Sequence, residues 1–209
     1  MKRHSTIRVT ILALSLAIAC GAAAQRFDGA VMAGMNMCQI DGDGAGRYNH
    51  LGLRAGVGTS FTLGSDIDSP WRMVVELAFT QKGSVTGDET FNRDISLSYV
   101  ELPLMMSYNL IEGRLRLALG IAPAVLVGAR VTDDGADNQP LADTYKAVDL
   151  LPLTAAVRYL FTDHLGIEGR YENSMLSVSD NQGSGTYRIV RDNKGTFSRL
   201  ITIGLTYKF

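Results

Sequence analysis

Eight charged side chains stand at the middle of segments in which every second residue is apolar. They are Arg54, Glu76, Glu101, Arg116, Arg158, Glu168, Arg170 and Glu172. Four guanidiniums and four carboxylates confined together should pair, because an unpaired buried charge costs several kcal/mol. Bidentate arginine–carboxylate geometry would help to close the space between them. The expectation is an ionic network in a shared interior, with Glu76 and Glu101, on neighbouring strands, sharing arginine partners.

Other chemistry finds less support in the residues. Nucleophilic catalysis needs a Ser–His pair and an orienting acid. His4 falls in the N-terminal leader, His50 stands at a loop end, and His164 opens a strand from a short turn. No serine on the apolar faces pairs with either of the last two, so the chain is not expected to be an enzyme. No catalytic, cofactor-binding or metal-ligating residue is assigned. "DGDGAG" (41–46) begins like a calcium loop, but the position that should carry the bidentate Glu is Gly52. "TDDGADN" (132–138) reads as a solvated loop, and Cys38 as a filler residue without a metal-ligand neighbour.

The chain has 209 residues, 46% of them apolar and 20% charged. It opens with Lys2, Arg3 and Arg8 around a short apolar run that ends in Ala22-Ala23-Ala24, the pattern of a secretory signal peptide cleaved before Gln25. Residues 1–24 are therefore read as leader and 25–209 as one domain. "LAIAC" leaves lipoprotein processing at Cys20 as an alternative. Without the leader, 17 basic face 21 acidic side chains, a net charge of about −4. There is no basic patch to suggest nucleic-acid binding. Cys38 then remains as a lone cysteine, so no internal disulfide is available.

The elements that must position the charges are strands. "ITIGLTYKF" at the C-terminus sets Ile201, Ile203, Leu205, Tyr207 and Phe209 against Thr202, Gly204, Thr206 and Lys208, a strict period of two. The same alternation runs through "GLRAGVGTSFTL", "WRMVVELAFTQKG", "SYVELPLMMSY", "RLRLALGIAPAVLV" and "HLGIEGRYEN". It is weaker in "FDGAVMAGMNM" and "VDLLPLTAAVRYL". That makes eight strand candidates and no convincing amphipathic helix. Connections alternate long and short, roughly 39–50, 64–70, 83–93, 109–113, 130–145, 161–163 and 178–197, as in an outer-membrane barrel. The loop 178–197 is the longest, and its alternating "TYRIV" suggests that the last two strands project beyond the membrane.

A soluble, lipocalin-like barrel has the same period, so the direction of the apolar face decides. The polar set here holds the eight charges and many small residues. The apolar set carries Trp71, Phe79, Tyr108, Tyr171, Tyr207 and Phe209 at strand ends, where aromatic girdles lie. The fold class expected is all-β, an eight-stranded antiparallel up-and-down transmembrane β-barrel with both termini periplasmic and four long loops outside.

Thr202, Gly204, Tyr207 and Phe209 look like the C-terminal signal read by the barrel-assembly machinery. The chain resembles the outer-membrane β-barrel families of Bacteroidetes, often labelled PorT-family or outer membrane protein beta-barrel domain. The resemblance is carried by "VELAFTQKG", "SYVELPLMMSYNL", "LALGIAPAVLVGARV", "GIEGRYENSMLSVSD" and "ITIGLTYKF". It implies an eight-stranded barrel in the outer membrane and no particular activity.

The function expected is structural or surface-interaction, with the outer loops as the recognition surface and an extracellular partner the sequence does not name. The alternatives are a narrow pore or small-solute transporter and, less favoured, a lipid-modifying enzyme. The expected surroundings are outer-membrane lipid and the assembly machinery, with no cofactor and a monomeric state.

Overall fold

The computed structural model describes residues 27–41, 48–63, 69–87, 92–111, 113–179 and 196–209. The leader with its cleavage site, the "DGDGAG" stretch beyond Asp41 and the "TYRIV" extension lie outside the described residues.

Period-two alternation becomes strand throughout. The strands are β1 (Phe27–Asp41), β2 (His50–Thr62), β3 (Trp71–Gly87), β4 (Asn92–Glu101), β5 (Leu104–Ile111), β6 (Leu115–Asp133), β7 (Ala136–Asp137), β8 (Val148–Leu160), β9 (Leu165–Asn173) and β10 (Phe197–Lys208). One turn of helix, α1 (Gln139–Ala142), follows β7. β4 and β5 act as one long strand, since both pair with β3 on one side and β6 on the other. Pro103, which has no N–H to give, causes the break. Around it the Glu76 N–H still donates to the Pro103 carbonyl, and the Leu102 N–H to Pro123. Counting β4 and β5 together, and setting aside the two-residue β7, eight long strands remain.

Each long strand pairs antiparallel with two neighbours. β1 meets β2 from Phe27↔Phe61 to Cys38↔His50, and meets β10 from Ala30↔Lys208 to Asp41↔Phe197. The sheet thus closes on itself and, among the described residues, leaves no long strand with a free edge.

The apolar face points outward. Met35, Leu53, Leu77, Leu119, Ile203 and Leu205 are all more than half exposed. The alternate positions point inward and bury Arg54, Glu76, Glu101, Glu168, Arg170 and Glu172 to within 3%. An apolar surface wrapped all the way round a barrel needs lipid against it. At the end that holds the short turns, aromatic side chains pair along the rim: Phe27 with Phe61, Trp71 edge-on to Tyr108, Tyr159 with Phe161, and His164 stacked on Tyr207. Phe79 is exposed towards the other limit of this belt, whereas Tyr171 is half-buried.

Beyond the belt the pattern reverses. On the outer face Gln39, Gln81, Ser98 and Arg199 succeed Met37, Phe79, Val100 and Ile201. Inward, Cys38, Ile40, Ile95, Leu97, Tyr99, Leu151, Val178 and Leu200 join one apolar cluster, together with Ala142 of α1. This crown is a packed, soluble-type core on top of a membrane belt.

Two expected loops are corrected by the crown. The 83–93 connection is mostly ladder, since β3 runs to Gly87 and pairs with β4 down to Gly87↔Asn92. The 130–145 connection is also ordered. β6 continues to Asp133, turns at Asp134 and Gly135 (φ 49° and 84°), and pairs with β7 before α1. Charge and glycine content made both segments look like loops. The inward apolar residues Ile95 and Val131 are what hold them in the sheet.

Candidate functional site: the barrel interior

The inward positions of the belt are few and close together, so long side chains reach across the lumen. Small residues make room for them. A Cβ at Gly58 would stand 2.7 Å from Cγ of Glu76, and Gly34 faces Gly204 so closely that a Cβ on the first would lie 2.6 Å from the second's Cα.

Two linked groups of ion pairs fill the space. In the first, Nη1 of Arg54 donates to Glu101 Oε2 at 2.5 Å, to Glu172 Oε2 at 3.1 Å and to Thr80 Oγ1 at 2.9 Å. Lys82 lies 3.0 Å from both Glu101 Oε1 and Asp149 Oδ2, with its ammonium 4.6 Å from the Tyr99 ring centre. In the second, Arg170 donates to Glu76 at 2.5 Å and to Glu168 at 2.7 Å, while Arg158 reaches the same two carboxylates at 3.2 and 2.5 Å. The groups join through Arg54–Glu76 at 4.0 Å and Arg170–Glu172 at 3.7 Å. Ser174 and Ser198 donate to Asp149, and Thr202 donates to Asn36, whose amide bonds the Leu53 and Gln81 carbonyls.

Seven of the eight residues singled out in the sequence are brought together here. Glu76 and Glu101 share Arg54. Arg116 stands apart: its Nε donates to Asn109 at 3.0 Å and its Nη1 to Ser60 at 3.3 Å, with no carboxylate at ion-pair distance among the described residues. It points inward as its parity requires, but at the turn end of the lumen, one level below the network.

Lys82 and Asp149 belong to the network and were not named from the sequence. Lys82 falls on the polar face of its strand, the signal that could have found it. Asp149 was hidden because β8 shifts register against β6 between Gly120 and Ala122, which breaks the alternation around it. With these two, four cations face five carboxylates among the described residues, a formal excess of one negative charge.

Little free space is left. The gaps bounded by Glu76 and Arg158, and by Arg116, Arg158 and Glu168, have volumes of about 10 Å³ each, room for one water at most. A lumen so filled braces the walls of the barrel.

The C-terminal residues also have definite places. Thr202 points inward onto Asn36 and Gly204 abuts Gly34. Tyr207 stacks on His164, and Phe209 lays its ring over Gly29 while its N–H donates to the Gly29 carbonyl. His50 lies 3.7 Å from Asp94, and His164 Nδ1 meets the Lys208 carbonyl at 2.8 Å. The Cys38 thiol donates to the Gln81 carbonyl. In "TDDGADN", Asp133 accepts from Arg93 and Asn138, and Asp134 accepts from the Asn92 N–H. Among the described residues no three His, Cys, Asp or Glu side chains are grouped to hold a metal.

The chain is similar to several solved structures. The attachment invasion locus protein Ail of Yersinia pestis is 14% identical, with 87% of this chain and 98% of that one covered and a TM-score of 0.50. Ail in complex with the heparin analogue sucrose octasulfate is 12% identical over 88% and 99%, with a TM-score of 0.48. Neisserial surface protein A (NspA) is 13% identical over 88% and 97%, with a TM-score of 0.47. At 14% identity the likeness to the first of these is one of fold. No curated protein matches the sequence. Residues 23–180 match the family model for the outer membrane protein beta-barrel domain. That match covers most of the chain, including seven of the eight long strands and the whole ionic network, and the chain accordingly belongs to the outer membrane protein beta-barrel domain family, resident in the outer membrane.

Proposed function

We propose that this chain is a monomeric structural or surface-interaction protein of the outer membrane, non-conducting, with its outer loops as the recognition surface. The observation that carries the reading is the filled lumen. Buried, mutually paired arginines and carboxylates occupy the cross-section where a solute path would have to run. A charge network of this kind is costly to open, because each separated partner would be left unpaired in a confined space. The crown supports the second half of the reading, since it gives the outer loops a rigid base above the lipid.

Export through a cleaved leader (1–24) and insertion through recognition of Thr202, Gly204, Tyr207 and Phe209 belong to the same proposal. So does the finer kinship with Bacteroidetes barrels, which rests on the segments quoted above. Planar-bilayer recording of the refolded protein is the test. No steady single-channel current is expected. Steady currents that Glu101→Ala leaves unchanged would overturn the proposal in favour of a narrow pore.

A further inference from the structure

The turn end of the lumen differs in charge from the network above it. A recess there is bounded by β1, β2, β5, β6, β8 and β10, and Asp28 is the one carboxylate among its lining residues. Asp28 is already engaged twice, by Arg72 at 2.6 Å and by Lys208 at 3.3 Å. Arg116 and Arg114 also line the recess with no carboxylate at ion-pair distance among the described residues. Arg116 stands directly across the ladder from Arg158, inward position against inward position. Arg158 has its donors turned to Glu76 and Glu168. Like charges directly opposite each other in a sheet are destabilising, and of this pair Arg158 alone has carboxylates at ion-pair distance among the described residues.

Two hydroxyls complete the wall. Ser60 accepts from Arg116. The Thr206 hydroxyl is 1% exposed and has no hydrogen-bond partner among the described residues. A planar guanidinium beside an ammonium and free hydroxyls suits a tetrahedral oxyanion, which takes paired N–H donors on one edge and O–H donors on another.

We propose that this recess is an anion site that takes a phosphoryl group, with Arg116 as its principal donor and Lys208 and Arg114 at its rim. It opens at the level of the aromatic rim, where lipid headgroups lie. The phosphoryl group can therefore come from a glycerophospholipid headgroup or from soluble phosphate, and the chemistry of capture is the same. The site is independent of what the outer loops recognise and of whether the lumen conducts.

The test uses the full chain refolded in a phosphate-free, uncharged detergent and titrated separately with inorganic phosphate and with sub-micellar dihexanoyl phosphatidylglycerol. Binding is read by calorimetry at constant ionic strength in chloride. Saturable binding is expected, weakened at least about tenfold by Arg116→Gln through loss of charge-assisted hydrogen bonds, and unaffected by Arg130→Gln in the crown. Saturation by both ligands, or by one alone, supports the site and identifies its source as either or as that one. If Arg116→Gln does not refold, the rim double variant Arg114→Gln/Lys208→Gln decides in its place. Absence of saturation with either ligand overturns the proposal, as does binding that these substitutions leave unchanged.

Discussion

The belt and the crown are built on the same strands with opposite polarity. In the belt, β3 sends Met73, Val75, Leu77 and Phe79 outward and Glu76 and Thr80 inward. In the crown, β4 sends Ile95 and Leu97 inward and Ser96 and Ser98 outward. The β1–β10 ladder runs through the border without a break, although β4 shifts register against β6 there, between Ser98 and Tyr99. What changes is the solvent against the outer wall. Lipid takes apolar side chains on the outside and frees the inside for ions, whereas water leaves the interior as the only apolar refuge. The border can therefore be located by the phase of the alternation alone, between Phe79 and Gln81 on β3 and between Ile201 and Arg199 on β10.

The comparison can be broken most forcefully inside the belt. Arg54→Ala removes the cation shared by Glu101 and Glu172 and leaves three cations for five acids. A loss of about 3–5 kcal/mol is expected, read as the shift in urea unfolding of the lipid-reconstituted protein. Glu172→Gln should cost far less, because it removes the excess negative charge. Equal losses for the two would mean that the network is not charge-limited.

In the crown the equivalent damage is a cavity. Leu97→Ala, at a fully buried position, should cost about 2–5 kcal/mol without touching an ion pair. On the outer wall, Leu119→Arg near the middle of the belt should cost about 2–4 kcal/mol, while Gln81→Arg at the border should cost about 0–1 kcal/mol. Matching penalties at the two positions would misplace the border.

The smallest effect is one of pH, at the far end of β6 beyond the belt. Hydrogen bonds from Arg93, and then from Asn138, hold the Asp133 carboxyl at about 2, below its ordinary 3.8. A depressed folded-state value contributes stability that is present above the ordinary value and lost as pH falls through about 2. Chemical-shift titration of Asp133 should show the low midpoint, and Arg93→Gln should return it towards the ordinary range.

The fold was legible because period two runs through most of every long strand, interrupted in β6 and β8 only where their register shifts. The inward set was legible for the same reason. Height within the lumen was not. Arg116 and Arg158 have the same parity and face each other, yet only Arg158 reaches carboxylates. Strand tilt and stagger decide which inward residues meet, and neither is written in a single strand. Lys82 was visible on the polar face but sat at the border of an expected loop. The crown was missed because an inward Leu97 and an outward Leu77 look alike until the position of the lipid is known.

The closing ladder runs from Ala30↔Lys208 to Asp41↔Phe197 and joins the first long strand to the last. Those contacts are separated by nearly the whole chain, the arrangement that makes folding slowest. Until β10 arrives, β1 offers an unpaired edge to any other strand it meets, the usual invitation to aggregation. A nascent chain therefore has no smaller barrel to settle into on the way. It must be kept apart from its own kind until the twelve residues Phe197–Lys208 are delivered, and only then does it become a closed object.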